Sequence, residues 1–344
     1  MLELSAGITE PLLEWFRENR RPLPWREDRD PYHVWVSEIM LQQTRIEAVM
    51  RYYTDFMAVL PDIRSLSEIP EEQLLKLWEG LGYYSRARNL QKAAKAVTEQ
   101  YGGVFPDTYD AIIKLPGIGE YTAGAIASIC FNEKAPAVDG NVLRVLARLT
   151  GDGRNVLDPA TKKDFTAGLK QIMPETPGEF NEALMELGEL VCLPNGAPVC
   201  DRCPLREQCA AQRDGLTEAL PVRIKKTKRR QEEKTVLVIE DGEDRIAIEK
   251  REGRGLLSGM YQLPMLDGYQ SEEKIRQTVS DWGLDATEIA FLKNAKHVFT
   301  HIDWLMKGFT VKTDAAGGRF TWVTRQQLAE QYPLPTAFKP FITL

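Results

Sequence analysis

The chain has no run of about 18 apolar residues, the length a membrane-spanning helix needs, so no transmembrane segment is expected. Its first residues, MLELSAGITEPLLEWF, carry early glutamates and no basic n-region, so a secretory signal is not expected either. Histidine is scarce: His33, His297 and His301 are the only three, and the first lies far from the others in sequence, so a histidine-built metal site is not expected. There is no excess of basic residues. Lys plus Arg number 44 against 50 Asp plus Glu, a net charge of −6. As a sum this argues against a nucleic-acid partner, but the distribution of charge along the chain matters more. What remains is the composition of an ordinary globular protein, long enough at 344 residues for two or three domains with real cores. A cytoplasmic location is expected.

The stretch from Leu115 to Arg148 organises the rest. It opens on a glycine turn, Leu115-Pro116-Gly117-Ile118-Gly119, followed by a helix of small residues from Tyr121 to Ala127. Glycines two apart permit a tight turn and close approach of a partner. A turn leading straight into a helix points unpaired N–H groups and the positive end of the macrodipole outward, which suits an anion such as a DNA phosphate. Beyond Pro136 one carboxylate, Asp139, stands between Val138 and Gly140.

Residues 1 to about 110 read as helices. Leu12, Leu13 and Phe16 mark an amphipathic first helix, and the two prolines of RRPLPWR break it. From Tyr32 the string YHVWVSEIMLQQTRIEAVMRYYTDFM reads as one long helix. Glu38 lies on it one turn after Val34 and Trp35 and one turn before Leu41. A carboxyl on a half-apolar face holds its proton more tightly, which suits a general acid; by position alone a plain surface glutamate fits as well. Trp78 to Asn89 sets glycines beside Tyr83, Tyr84, Arg86 and Arg88. That composition suits either a loop that wedges into a duplex or core aromatics beside a turn.

Four of the five cysteines, Cys192, Cys200, Cys203 and Cys209, fall in one run. Disulfides fit a cytosolic chain poorly, while spacing alone is compatible with four thiolates on zinc. The lone Cys130 sits in an apolar helix and is expected in the core. Residues 219–233 read as a linker with six basic and no acidic residues between Pro221 and Arg230, either a solvated segment or a phosphate tether. From Thr235 the pattern changes: TVLVIE, Asp241-Gly242 and RIAIEKRE read as a hairpin. Taken as a strand, residues 297–301 put His297, Phe299 and His301 on one face.

Several of these motifs carry a resemblance. LPGIGEYTAGA resembles the hairpin of the helix-hairpin-helix DNA glycosylases, and VDGNVLRVLAR resembles the segment that carries their catalytic aspartate. WVSEIMLQQTR, the cysteine run and the segment after Thr235 narrow the likeness to the MutY adenine glycosylases. The resemblance implies a multidomain α plus α/β fold. A helical helix-hairpin-helix core spans 1–218, with the hairpin near 111–125 and an iron–sulfur loop at 192–209. The linker at 219–233 then leads to a smaller Nudix-like α/β domain at 234–344.

By the same resemblance, Glu38 protonates a departing adenine, Asp139 stabilises the sugar cation, and Asn141 and Tyr121 complete the catalytic group. Endonuclease III-like relatives have a lysine at position 121, which forms a Schiff base and cuts the strand; Tyr121 implies a monofunctional enzyme. Cys192, Cys200, Cys203 and Cys209 are implied to hold one four-iron, four-sulfur cluster, although seven residues separate the first pair where six are common. Arg26, Gln43, Thr44, Leu81, Tyr83, Gly117, Gly119, Phe299, Thr300 and His301 are implied to contact DNA or 8-oxoguanine, with Thr300 where the family's loop has serine. EEKIRQTVSDWG lacks the glutamate-rich pattern of a working Nudix hydrolase, so the C-terminal domain is expected to recognise the lesion and not to be a second enzyme. The implied partner is duplex DNA with an adenine:8-oxoguanine mispair, met by a monomer associated with the bacterial nucleoid.

Overall fold

A computed structural model of the chain describes residues 3–224, 229–252 and 255–342. Lys225, Lys226 and Lys228 of the expected basic linker lie outside the described residues. The helices, in order, are α1 (Thr9–Asn19), α2 (Pro31–Leu41), α3 (Ile46–Val59), α4 (Ile63–Glu68), α5 (Glu71–Leu77), α6 (Ser85–Tyr101), α7 (Tyr109–Ile112), α8 (Glu120–Phe131), α9 (Gly140–Thr150), α10 (Pro159–Ile172), α11 (Pro177–Leu190) and α12 (Ala210–Arg213). Strands β1 (Arg230–Glu240), β2 (Ile246–Lys250), β3 (Tyr261–Gln262), β4 (Met265–Asp267), β5 (Ala286–Val298), β6 (Ile302–Thr313) and β7 (Thr321–Val323) follow, with α13 (Glu272–Asp281) and α14 (Arg325–Glu330) among them. Among the described residues no helix is long and apolar enough to cross a membrane.

Local chemistry explains where the helices start. Asp30 and Asp158 each accept a hydrogen bond from the backbone two residues on, and Pro31 and Pro159 fill the first helical position, where a missing N–H costs nothing. The long helix expected from Tyr32 is in fact two. Gln42 leaves helical geometry and Gln43 turns left-handed at φ +61°. Residues 42–45 are all polar, so no apolar side chain holds that turn of helix against the core, and Thr44 N closes a tight turn on Leu41 O at 3.2 Å.

The chain divides into two compact units, residues 1–68 with 89–226 and residues 69–88 with 227–344. The helical unit buries Leu12, Phe16, Leu146, Phe165, Phe180 and Leu184 in one core. It keeps the first half of the expected linker, because Val156 N bonds Val222 O (3.1 Å), Ile224 N bonds Asn155 Oδ1 (3.1 Å) and Arg148 Nε bonds Leu220 O (2.8 Å). A boundary at 218 is therefore too early.

The second unit is built on a mixed sheet of order β3-β2-β1-β6-β5, with β4 also on β1 and β7 on β2. β1 and β2 form the expected antiparallel hairpin, and β1 runs parallel to β6. Val236 and Val238 face one core while Leu237 and Ile239 face another, so this central strand is covered on both sides. That is why TVLVIE reads as a nearly unbroken apolar run. Residues 69–88, expected with the helical half, belong to this unit. Lys76 Nζ donates to the carbonyls of Leu328 (3.3 Å) and Tyr332 (3.2 Å), and Lys250 pairs with Glu72 at 2.6 Å. Residues 297–301 do not form one strand: β5 ends at Val298, and Phe299 N turns onto Ile302 O at 2.8 Å.

Candidate active site

The helical unit carries an open cleft of about 1230 Å³. That exceeds the roughly 300–1,000 Å³ of a small-ligand pocket. Glu38 from α2, Tyr121 from α8, and Asp139 and Asn141 from the start of α9 all line it, with Gly117, Gly119, Gln43 and Thr44. The sequence-expected catalytic group is thus assembled from segments a hundred residues apart.

Glu38 is only 7% exposed. Burial raises its pKa to about 7. Tyr121, whose hydroxyl donates to Glu38 Oε2 at 2.6 Å, pulls the value down, and the charges of Asp139 and Glu182 push it up. A carboxyl that titrates near neutrality is well matched to proton transfer at working pH. The Tyr121 phenol, also 3.1 Å from the Met185 sulfur, has its own pKa raised well above the ordinary value by burial and by Glu38, so it stays a neutral donor.

Asp139 is the N-cap of α9. Its Oδ1 accepts from the N–H groups of Asn141 (2.9 Å) and Val142 (2.8 Å), and its Oδ2 accepts from Asn141 Nδ2 at 3.1 Å. Burial nevertheless raises its pKa, against those two N–H groups and Arg144. Asn141 is held in turn. Its Nδ2 also donates to Glu189 Oε1 (2.8 Å) and its Oδ1 accepts from Arg144 Nη2 (2.8 Å).

Sequence reasoning missed the carboxylates of α11. Glu182, Glu186 and Glu189 are spaced four and three apart on one face of FNEALMELGEL, a stripe of acids where an apolar one is usual; that spacing was the available signal. Arg21 makes a bidentate pair with Glu186 (2.8 and 3.0 Å), and Arg26 bridges Glu182 (2.9 Å) and Glu186 (3.1 Å). Burial opposes the Glu186 charge, but the two arginines outweigh it and hold its pKa at about 2. Arg26, expected at the DNA, is therefore committed to a buried ion network beside Glu38. Replacing Glu186 with alanine strands Arg21 and leaves Arg26 with Glu182 alone, and is expected to cost about 3 kcal/mol in a urea denaturation series.

At the rim, Gly117 has φ +77°, and a Cβ there would lie 2.5 Å from Asn89 Cβ. Alanine at 117 is excluded on both counts. Gly119 caps α8 with no side-chain partner, and nothing lies within 4 Å of where its Cβ would be. The helix start is open to a ligand, though Glu120 in its first turn adds a negative charge.

The remaining expected contacts lie in the second unit. Tyr83 is 45% exposed while Leu81 is 6% exposed, so tyrosine and not leucine is the surface tip of that loop. The Thr300 hydroxyl donates to the Tyr83 hydroxyl at 3.1 Å. Phe299 stacks edge-on between His297 (4.5 Å) and Trp304 (4.9 Å), and His301 is exposed.

Cys192, Cys203 and Cys209 pack against the helical core, and Arg148 Nη1 donates to Cys192 Sγ at 3.3 Å. All four cysteines are free thiols, and burial, with the other three sulfurs nearby, pushes the Cys203 thiol up to about 12. Among the described residues no group of three or more His, Cys, Asp or Glu is arranged to hold a metal ion. Cys130, expected in the core, is half-buried at the end of α8.

A glycine turn, the buried Glu38 carboxyl and the half-buried Asp139 carboxyl line one cleft of the helical unit. Residues 36–174 match the HhH-GPD superfamily of base excision DNA repair proteins, and residues 235–344 match the NUDIX domain. The chain is similar to an adenine DNA glycosylase of Mus musculus, 34% identical over 363 residues covering 89% of this chain and 70% of the relative. A Buchnera aphidicola adenine DNA glycosylase is 35% identical over 297 residues, 85% of this chain and 82% of the relative. One from Arabidopsis thaliana is 40% identical over 300 residues, but the chain spans only 47% of that relative's length. The chain belongs to the adenine DNA glycosylase family. Among solved structures, a thermostable thymine-DNA glycosylase has 29% identity and a TM-score of 0.56 over 60% of this chain and 96% of its own. A trapped endonuclease III–DNA covalent intermediate has 25% identity and a TM-score of 0.52 over 62% of this chain and 99% of its own.

Proposed function

We propose that this chain hydrolyses the N-glycosidic bond of adenine paired with 8-oxoguanine in duplex DNA, acting as a monomer and without cutting the strand. The observation that carries this reading is the buried, hydrogen-bonded Glu38 in the same cleft as the capped Asp139. Loss of a base from a sugar resembles glycoside hydrolysis, which needs an acid for the leaving group and a carboxylate for the oxocarbenium-like sugar. The duplex docks through its phosphates on the Gly117–Gly119 turn, and the adenine leaves the stack for the cleft. Glu38 protonates a ring nitrogen of the base, the C–N bond breaks, and Asp139 stabilises the cation until water adds. Tyr121 holds Glu38 by a hydrogen bond, where a lysine would instead attack the sugar. Gln43 and Thr44 flank the lesion from the cleft's edge. In the second unit Tyr83, Phe299, Thr300 and His301 read the 8-oxoguanine, and that domain serves recognition only.

The four cysteines suit one four-iron, four-sulfur cluster. They are all-sulfur donors, neighbours of one another, with a guanidinium donating to one of the sulfurs. When bound, the cluster supplies a rigid tie for residues 192–209.

The reading is tested by single-turnover reactions on duplexes with adenine opposite 8-oxoguanine or guanine, with strands resolved before and after alkali. Breaks that appear only after alkali, faster opposite 8-oxoguanine, are expected. Breaks without alkali, or an adduct trapped by borohydride, would replace it with a glycosylase-lyase reading.

A further inference from the structure

The turn that joins α5 to α6 is wrapped around one buried cation. Arg86 is 8% exposed. Its Nη2 donates to the carbonyls of Leu81 (2.8 Å) and Gly82 (3.2 Å), and its backbone N–H donates to Tyr83 O at 2.8 Å. The guanidinium carbon lies 5.4 Å from the centroid of Trp78 and 5.6 Å from that of Tyr83, within cation–π reach of both rings. Trp78 Nε1 donates to the same Gly82 carbonyl at 3.1 Å. The turn needs this support. Gly80, Gly82 and Tyr83 all have positive φ, at +107°, +68° and +47°, and Tyr83 is the only one of them with a side chain to strain. Burial lowers the Arg86 pKa to about 10, which leaves it charged at neutral pH.

We propose that Arg86 is a positioning residue for base extrusion: it fixes the Leu81–Tyr83 turn and sets the Tyr83 ring at the surface, where it enters the space vacated by the flipped adenine. The proposal rests on the reading of the chain as a glycosylase that acts on stacked duplex. Arginine is required because one planar guanidinium donates to two carbonyls through Nη2 and lies within cation–π reach of two rings. A lysine ammonium has the charge but not the flat, delocalised group that meets both rings. Tyr83 is thereby held at both ends, its ring by Arg86 and its hydroxyl by Thr300.

The test uses the full chain with Arg86→Lys and, separately, Gly82→Ala. The second leaves the guanidinium untouched. A Cβ at 82 meets nothing within 4 Å, yet φ +68° strains any L side chain, so the turn is disturbed from within. Each variant is compared with wild type on an adenine:8-oxoguanine duplex and on a strand where the target adenine sits in a one-nucleotide bulge, already unstacked. A parallel set carries 2-aminopurine at the target position to report extrusion by fluorescence. Losing hydrogen bonds to a buried charge is expected to slow single-turnover release about tenfold on the paired duplex. The loss should shrink severalfold on the bulge, and the fluorescence rise should be slowed in step. Equal losses on both substrates, or no loss on the paired one, would overturn the proposal. Wild-type protein that releases adenine from neither substrate would instead overturn the glycosylase reading, and the fluorescence would still decide the role of Arg86.

Discussion

Glu38→Gln is expected to bind mispaired duplex as tightly as wild type and to release adenine about 10²–10⁴-fold more slowly, the range general acids contribute. The amide has nearly the same shape and still accepts the Tyr121 hydrogen bond, but its N–H groups are not acidic enough to protonate the leaving base. The wild-type rate should show the same group in its pH dependence. The reactive form is the protonated acid, so single-turnover release falls as pH rises through about 7. Tyr121 favours the carboxylate form by donating to it, so Tyr121→Phe should move that alkaline limb to higher pH. A stability measurement separates lost chemistry from lost folding. Glu38 binds its proton more tightly folded than unfolded, where its pKa is near 4.5. Between those values the folded state holds more protons, so stability falls as pH rises, and above about 7 the full penalty is present. Removing the ionisable group relieves a penalty of about 3 kcal/mol, and Glu38→Gln should melt at a higher temperature than wild type at pH 8. A variant that is inactive and less stable at that pH would not support the assignment.

The parts of the site that sequence made legible are those where one short segment carries the whole signal. Gly117 and Gly119 announce a turn, Asp139 stands as one carboxylate between Val138 and Gly140, and the cysteines fall in one run. The hairpin of β1 and β2 is legible because Asp241-Gly242 separates two apolar strings. What was hidden depends on pairing between distant segments. Arg26 looks like a free cation beside a DNA site until α11 brings Glu182 and Glu186 against it. Leu81 and Tyr83 are both implied to meet the duplex, yet Leu81 is buried, its carbonyl accepting from Arg86, and Tyr83 is the exposed one. The break at Gln43 was missed because apolar periodicity resumes in phase at Ile46, and a two-turn pattern cannot register four polar residues in left-handed and extended geometry. Residues 69–88 read as helical and sit inside a helical stretch, so only their lysine and glutamate partners reveal that they pack with the sheet unit.

Asp139→Asn is expected to be the cleaner loss of the two carboxylates, because charge can be removed there while the helix start is kept. Asparagine is as good an N-cap as aspartate, so the N–H groups of Asn141 and Val142 keep an acceptor. The cost is local. The new amide would point its NH₂ at Asn141 Nδ2, a donor against a donor, and Asn141 cannot turn over without giving up Glu189 and Arg144. One strained hydrogen bond of this kind costs about 1 kcal/mol, seen as a small drop in melting temperature. The effect on the reaction is of another size. A cation forming at the sugar loses the Asp139 carboxylate charge, and single-turnover release should fall about 10³-fold. Affinity for the uncleaved duplex should not weaken, and at low salt it should tighten, because a negative charge has left a surface that meets phosphates. A variant that keeps near-normal release would remove Asp139 from the chemistry and leave it as a helix cap. A variant that loses release and duplex binding together would point to a disturbed cleft. Only loss of release with binding retained or tightened assigns the carboxylate to the transition state.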